Sequence, residues 1–375
     1  MDSVKKLSTE LRKIGIVLSI VGLVIAFMNR QNLYGNLFYD EEKVNNNYEN
    51  PNNIPEFLHE KIQSVQFDAS VVVPTQIRKR GYRSAEVNDA KIDVRGLTSD
   101  LFKDYEFVEN KSNQDKDMIE LQGKDGASLF YLKSGLFSSM SSKKYEIYSA
   151  SVHDDPNLFS LEDEMINNLS KYPENQEIEG VTLQTCQDRM KKFLEYCGAS
   201  SAFQMRTYAL DYRIMRDEAK VLEPDGSLSD LNYSWTPSDN GYYCKIYQTA
   251  NGTPIIPENN MLSGDLLAMP AVASYMDTME VVDVYATGLY KIKFSNSQKN
   301  FYPFHLVKEK IVSDIEAKHY ESATVKSMTL VSVVQNRGEH KELEPVWSIC
   351  FECTDLGQKA SYSMNINACT GEIVT

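Results

Sequence analysis

The sequence predicts an α+β protein: an N-terminal transmembrane helix, then two units that each set a helix against an antiparallel sheet. Three observations predict this. An uncharged run near the N-terminus is bracketed by cations. Segments of strand period come in blocks instead of alternating singly with helices, the pattern of antiparallel sheets. Two amphipathic helix patterns, one with its apolar stripe from Leu183 and one from Phe304, each precede such a block.

At 375 residues the chain exceeds one average domain, and 42% hydrophobic with 25% charged residues is ordinary for a packed core. Acidic residues outnumber basic ones, for a formal net charge of -14. Such a surface repels phosphate backbones, which excludes nucleic acid as a partner.

The uncharged run is Ile14–Met28, "IGIVLSIVGLVIAFM". Lys5, Lys6, Arg12 and Lys13 precede it; Asn29 and Arg30 follow, with no further cation until Lys43. As a helix the run measures about 22 Å, short of a hydrocarbon core of about 30 Å. Arg12, Lys13 and Arg30 can snorkel to close that gap. A cleaved signal peptide and a buried soluble helix compete with the anchor. Against cleavage, "IAFMNRQ" places Phe27, Met28 and Asn29 where small residues are needed. The first cysteine, Cys186, is too distant to accept a lipid. The cation bias makes 1–13 a cytoplasmic tail and 14–29 a single-pass anchor in the cell membrane, with the bulk outside the cell.

Residues 30–60 read as a polar linker, Asn-rich and broken by Pro51 and Pro55. Residues 61–256 and 257–375 read as two extracytoplasmic α+β domains. In "VQFDASVVVP", Val65, Phe67, Ala69, Val71 and Val73 alternate as in a strand, which Pro74 ends. "SLFYLKSGLF" (128–137) and "KKYEIYSASV" (143–152) are strand candidates by aromatic and β-branched content. A helix is expected in "SLEDEMINNLSKYP", started by Ser160 and Asp163 and stopped by Pro173. Another is expected in "VTLQTCQDRMKKFLEYCG", with Leu183, Cys186, Met190, Phe193, Leu194 and Cys197 on one face and Gly198 closing it.

Asn251-Gly252 marks a hairpin turn. "MEVVDVYATGLYKIKF" reads as a second hairpin turning at Thr287-Gly288. "YPFHLVKEKIVSDIEAKH" reads as a helix with Phe304, Val307, Ile311 and Ile315 inward, and "ATVKSMTLVSVV" as a strand. The order helix, then antiparallel strands, thus recurs around 183–256 and 304–375.

The closing segment contains Cys350 and Cys353 in C-x-x-C spacing. A turn at Gly357-Gln358 would set Trp347 opposite Ala368, Ile349 opposite Ile366, Phe351 opposite Met364 and Cys353 opposite Tyr362. That puts apolar residues on one face and Ser348, Cys350, Glu352, Ser363, Asn365 and Asn367 on the other. Residues three apart on a strand face opposite ways, so the two cysteines cannot share a metal or act as a redox pair. All six cysteines lie in the outer portion, where disulfides are permitted. They read as small buried hydrophobes; Cys186 and Cys197, eleven apart in one helix, cannot bond to each other.

"EPVWSICFE" and "ASYSMNINACTGEIV" together resemble the closing hairpin of PepSY modules. Pro345, Trp347, Ala368, Thr370, Gly371 and Glu372 match, and Asn367 replaces the usual aspartate. The helix before them sits where such modules carry theirs. The layout of tail, anchor and two outer α+β units resembles the YycH/YycI-type extracytoplasmic proteins of Gram-positive bacteria, and anchored clostridial proteins. Neither resemblance brings catalytic residues.

His59, His153, His305, His319 and His340 lack metal-ligand spacing, and no zincin, P-loop, nucleophile-elbow, Rossmann or EF-hand pattern occurs. "SSKK" (141–144) has a Ser-x-x-Lys spacing without partner motifs. "LEDE" (161–164) suits a helix start, and "EPDG" (223–226) is a turn without calcium spacing. The 22 tyrosines follow the strand candidates. The expectation is therefore a non-enzymatic membrane-anchored protein that binds or regulates an envelope protein, such as a sensor kinase or peptidase. No catalytic, metal or cofactor residue is named. The alternative is an envelope protein that binds peptides or cell-wall fragments.

Overall fold

A computed structural model describes residues 48–109, 118–132, 137–142, 144–153, 168–199, 202–222, 227–256, 270–278, 280–320, 322–338, 340–355 and 358–374. The expected anchor, the start of the linker, most of the helix expected over 160–173, and the "LEDE" and "EPDG" segments lie outside them. No helix among the described residues is long and apolar enough to cross a membrane.

The chain opens with strands β1 (Phe57–Ile62) and β2 (Val65–Val72), helix α1 (Thr75–Arg80) and β3 (Tyr82–Asp89). Short strands β4 (Val108–Glu109), β5 (Met118–Gln122), β6 (Ser128–Leu132) and β7 (Phe137–Ser141) follow, then α2 (Tyr145–Val152). Helix α3 (Leu183–Tyr196) leads to β8 (Ala202–Leu210), α4 (Tyr212–Glu218) and the small hairpin β9 (Lys220–Leu222) and β10 (Leu228–Asp230). Next come β11 (Gly241–Ala250), β12 (Thr253–Ile256), β13 (Val272–Asp277), β14 (Val281–Thr287) and β15 (Tyr290–Lys299). Helix α5 (Phe304–Ala317) precedes β16 (Ser322–Asn336), β17 (Lys341–Asp355), β18 (Gln358–Asn367) and β19 (Ile373–Val374). The result is a sheet-dominated α+β fold with few helices.

Two sheets organise these strands. The first is built on the long antiparallel pair β16–β17, which runs from Ser322 opposite Thr354 to Asn336 opposite Lys341 with a one-residue register shift between Val325 and Ser327. At one end β2 runs parallel to β16, with β1 outside it, and β18 pairs with β17. At the other end β12 lies beside β16, and β3 joins β17 to β15. Strands before residue 90 and after residue 290 therefore share one sheet. The alternation in β2 buries Val65, Phe67, Ala69 and Val71 against α5, whose Phe304, Val307, Ile311, Val312 and Ile315 are buried in the same cluster as Trp347 and Phe351.

The second sheet is antiparallel throughout, in the order β4-β5-β6-β7-β14-β13-β11-β8. Helix α3 covers one face. The Thr182 hydroxyl accepts the Thr185 N–H at its start, and Gly198 takes a positive φ just past its end. Its inward stripe buries Cys186, Met190, Phe193, Leu194 and Cys197, as the spacing predicts. The other face carries Tyr208, Tyr243 and Tyr275, opposite one another on three adjacent strands. Tyr243 and Tyr275 stack with centroids 4.5 Å apart, and residues of α2 and α4 close over them.

The Asn251-Gly252 turn joins the sheets. Both residues have positive φ (54° and 82°), the conformation a two-residue type I′ hairpin needs, and β12 passes from it into the first sheet. Two buried amides strengthen the joint. Gln248 donates to the Tyr290 carbonyl (2.6 Å) and accepts its N–H (2.9 Å). Asn251 does the same with Arg83, at 2.9 and 3.1 Å. Each side chain thus imitates a strand edge.

Four segments depart from the sequence reading. Residues 145–152, expected as a strand, form α2. Tyr145, Tyr148 and Val152 recur at helical spacing, and burial of Tyr148 and Val152 in the tyrosine cluster outweighs β propensity. Thr287-Gly288 makes no hairpin: β14 is held by β13 and β7, and β15 leaves to pair with β3. Over its described residues, Tyr48 to Glu56, the polar stretch before β1 packs on the fold. Glu49 bridges to Phe301, Ile54 is buried, and Arg78 donates to the carbonyls of Pro51 and Ile54. The closing hairpin is shifted by two. Its paired ends are Asp355 and Gln358, so Trp347 faces Ile366, Ile349 faces Met364 and Phe351 faces Tyr362. An even shift leaves every side chain on its expected face.

Candidate functional site

The residues that carry the PepSY resemblance meet at the end of the closing hairpin, where each has a structural task. Asn367 Oδ1 accepts the N–H groups of Cys369 (2.8 Å) and Thr370 (3.1 Å). An amide can replace the expected aspartate there because only an acceptor is used. The Ala368 N–H donates to the Pro345 carbonyl, and its carbonyl accepts the Tyr302 N–H just before α5. Gly371 has φ 74°, and a Cβ there would lie 2.5 Å from a ring carbon of Tyr302. Only glycine lets the chain turn that closely over the ring. Trp347 is fully buried beneath, 5.5 Å from Phe304 between ring centroids. The frame fastens the hairpin to the start of α5.

What this frame presents outward is the edge of β18. Among the described residues β18 pairs with β17 on one side and, on the other, with β19 only at Asn365 and Ile366. The outer edge from Lys359 to Met364 is therefore open among the described residues. Tyr362, 38% exposed, stands on it, stacked on Tyr320 and Phe351 with centroids 5.4 and 5.9 Å away.

Other edges among the described residues are guarded along part or all of their length. β1 carries His59, Glu60 and Lys61. β15 carries Lys291 and Lys293 and a register break between Phe294 and Gln298. β4 has two residues, and β8 is covered from Thr207 to Ala209 by the Pro173–Asn175 segment through backbone bonds, with Arg206 next to that cover. Charges, bulges, short length and cover are the usual protections against stray pairing. Ala360-Ser361-Tyr362-Ser363-Met364 has no charge.

The chain also holds a polar cavity of about 250 Å³. It is lined by Glu177, Glu179, Asp211, Tyr212, Arg213 and Asn240, among others. Its polar groups are engaged in local structure. Asp211 caps α4 and pairs with Arg213, which holds its carboxyl below the usual range. Asn240 accepts the Tyr212 N–H and donates to the Glu179 carbonyl.

Two charge clusters lie elsewhere. Asp277 closes the β13–β14 turn by accepting the Glu280 N–H (2.8 Å) and pairs with Lys144. Burial, then the neighbouring Asp277 charge, raises the Glu280 carboxyl. Near the sheet junction, Lys299 reaches Glu344 at 2.7 Å and Glu342 at 3.1 Å, and Arg337 reaches Glu344 at 3.2 Å. Burial alone would lower the Lys299 ammonium, but the carboxylates outweigh it and hold it above its ordinary value. Burial pushes the nearby Cys369 thiol up to about 12, with the Glu344 charge adding to it, so it is a poor nucleophile.

Cys353 is buried and Cys350 half-buried on opposite faces of β17, as the spacing predicts. Of the histidines, His59 lies 3.2 Å from Asp68 and His340 lies 3.4 Å from Glu342. Among the described residues no three His, Cys, Asp or Glu side chains are grouped to hold a metal ion. Sequence reasoning missed the β18 edge, because an edge is defined by what fails to pair with it. The uncharged run from Ala360 to Met364 was the available signal.

No family model matches the chain, and no curated protein matches it. Among solved structures, an uncharacterized protein from Eubacterium rectale ATCC 33656 aligns over 86% of this chain and 94% of its own. The TM-score is 0.55 and the identity 12%. That likeness shows a shared fold alone. The Bacillus megaterium YpeB C-terminal domain is a weak structural neighbour, with a TM-score of 0.25, 12% identity, and coverage of 75% of this chain and 93% of that one.

Proposed function

We propose that this is a membrane-anchored extracytoplasmic binding protein without enzymatic activity. Its PepSY-like C-terminal unit, within 257–375, takes up an extended segment of another envelope protein, such as a sensor kinase or a peptidase. The observation that carries this reading is the edge of β18, open among the described residues and uncharged from Ala360 to Met364, with Tyr362 exposed upon it. A strand added to such an edge gains main-chain hydrogen bonds, and the aromatic stack gives its alternate side chains a surface to recognise. The Ile14–Met28 run and its flanking cations support the anchor and the outward placement. The alternative, a site for free peptides or cell-wall fragments, has less support. The polar cavity falls below the roughly 300–1,000 Å³ of ordinary ligand pockets.

A photo-crosslinking side chain placed at Ser361 tests the reading in whole cells, with Lys293 on β15 as the guarded-edge control. The expected result is a discrete protein adduct from Ser361 and none from Lys293. No adduct from Ser361, or the same adducts from both positions, would overturn it.

A further inference from the structure

Cys186 sits on the buried face of α3 and Cys244 within β11, beneath that helix. Both are fully buried. Both are thiols in this structure, and their Sγ atoms are 3.2 Å apart. That is closer than two unbonded sulfurs prefer. A covalent bond of about 2.0 Å asks for a further approach of roughly 1 Å. The other cysteines are placed differently. Cys197 is at the far end of α3, and Cys350 and Cys353 are divided by the β17 backbone.

We infer that Cys186 and Cys244 form a disulfide that fastens α3 to the second sheet when the chain folds in an oxidising compartment. The oxidant is itself a disulfide, either a small one such as oxidised glutathione or one on a protein. The thiolate of one cysteine attacks it, forming a mixed disulfide and releasing one thiolate. The thiolate of the second cysteine attacks the first cysteine's sulfur, forming the Cys186–Cys244 bond and releasing the other thiolate. The two cysteine protons end on the released thiols, and the two electrons reduce the oxidant. Burial pushes the Cys186 thiol well above its ordinary value, and the adjacent Cys244 adds to that. Exchange therefore belongs to the stage before α3 docks, while both sulfurs meet solvent. The bridge spans a separation of 58 positions, enclosing β8, α4, β9 and β10, and so constrains the unfolded chain as well as the fold.

The inference draws on the extracytoplasmic placement proposed above only for its oxidant, and two experiments separate them. In the first, the reduced full chain is refolded in a glutathione redox buffer, alkylated with N-ethylmaleimide under denaturing conditions and mapped by mass spectrometry. The expected result is one linked peptide pair carrying Cys186 and Cys244, with the remaining cysteines alkylated. Reduction should also lower the melting temperature by roughly 5 °C. Alkylation of all six cysteines in folded protein, or a dominant link between any other two, overturns the inference. In a Cys244→Ala chain, Cys186 must be alkylated; finding it in another link also overturns the pairing. The second experiment alkylates the chain in living cells. A link that forms in redox buffer but is absent in cells overturns the placement and leaves the pairing standing.

Discussion

Helices α3 and α5 have the same length and each lies against a sheet, yet they bury different side chains. Helix α5 presents Phe304, Val307, Ile311, Val312 and Ile315 to a face holding Phe67, Trp347 and Phe351. Helix α3 presents Cys186, Met190, Phe193, Leu194 and Cys197 to a face holding Cys244 and Ile246. The first set is aromatic and aliphatic throughout; the second interface mixes Phe193, Leu194 and Tyr242 with sulfur-bearing side chains from helix and strand. The second sheet is also covered on its far face by α2 and α4. Large side chains are the more vulnerable to truncation, because a lost large side chain leaves a cavity its neighbours cannot fill.

The largest expected effect follows directly. Trp347→Ala should lower the unfolding free energy by about 4 kcal/mol, and Cys197→Ala by about 1 kcal/mol. Urea titrations of both variants check this; equal losses would break the contrast between the interfaces. An intermediate effect concerns the joint. Gln248→Leu leaves the buried Tyr290 N–H and carbonyl without their side-chain partner, at a cost of about 2 kcal/mol. If that amide couples the sheets, tryptophan fluorescence and far-UV circular dichroism should give separate transitions in the variant. Coincident transitions would show that β12 and the Asn251–Arg83 pair suffice to couple them.

The smallest effect is electrostatic and lies beside the same joint. Burial would raise the Glu342 carboxyl, but the Lys299 hydrogen bond outweighs it and holds the carboxyl below 4.5. Its contribution is therefore present above pH 4.5 and lost as the pH falls through the lower folded-state value. The raised Lys299 ammonium is charged throughout that range and loses its contribution only above pH 10.5. Lys299→Met should cost about 1 kcal/mol at pH 7, and the gap from the parent should narrow below pH 4.5. A gap of constant size from pH 7 to pH 3, read from urea midpoints, would remove Glu342 as the partner.

Local pattern made β2, α3, α5 and the Asn251-Gly252 turn legible, because each has a period or a φ requirement that few residues satisfy. The frame around Pro345, Trp347 and Gly371 was legible for the same reason, since every member answers to a close contact. What escaped depended on partners remote in sequence. The parallel pairing of β2 with β16 joins Val65 to Ala323, and nothing near either residue announces the other. The departure of β15 toward β3 turned a plausible hairpin into a crossing. Tyr145, Tyr148 and Val152 fit a strand by composition and a helix by spacing, and only the tyrosine cluster decides between them. The approach of Cys186 to Cys244 and the open side of β18 are likewise products of packing.

The parallel pairing also sets a timetable. β2 is among the first strands to leave the ribosome, and β16 among the last. Until β16 arrives, β2 has only β1 for company, and the side it will offer β16 stays bare. The first sheet therefore completes late and nearly at once, whereas β11, β13 and β14 can begin to assemble while the rest is still being made. A helper that shields nascent strands would find its longest engagement at the beginning of this chain.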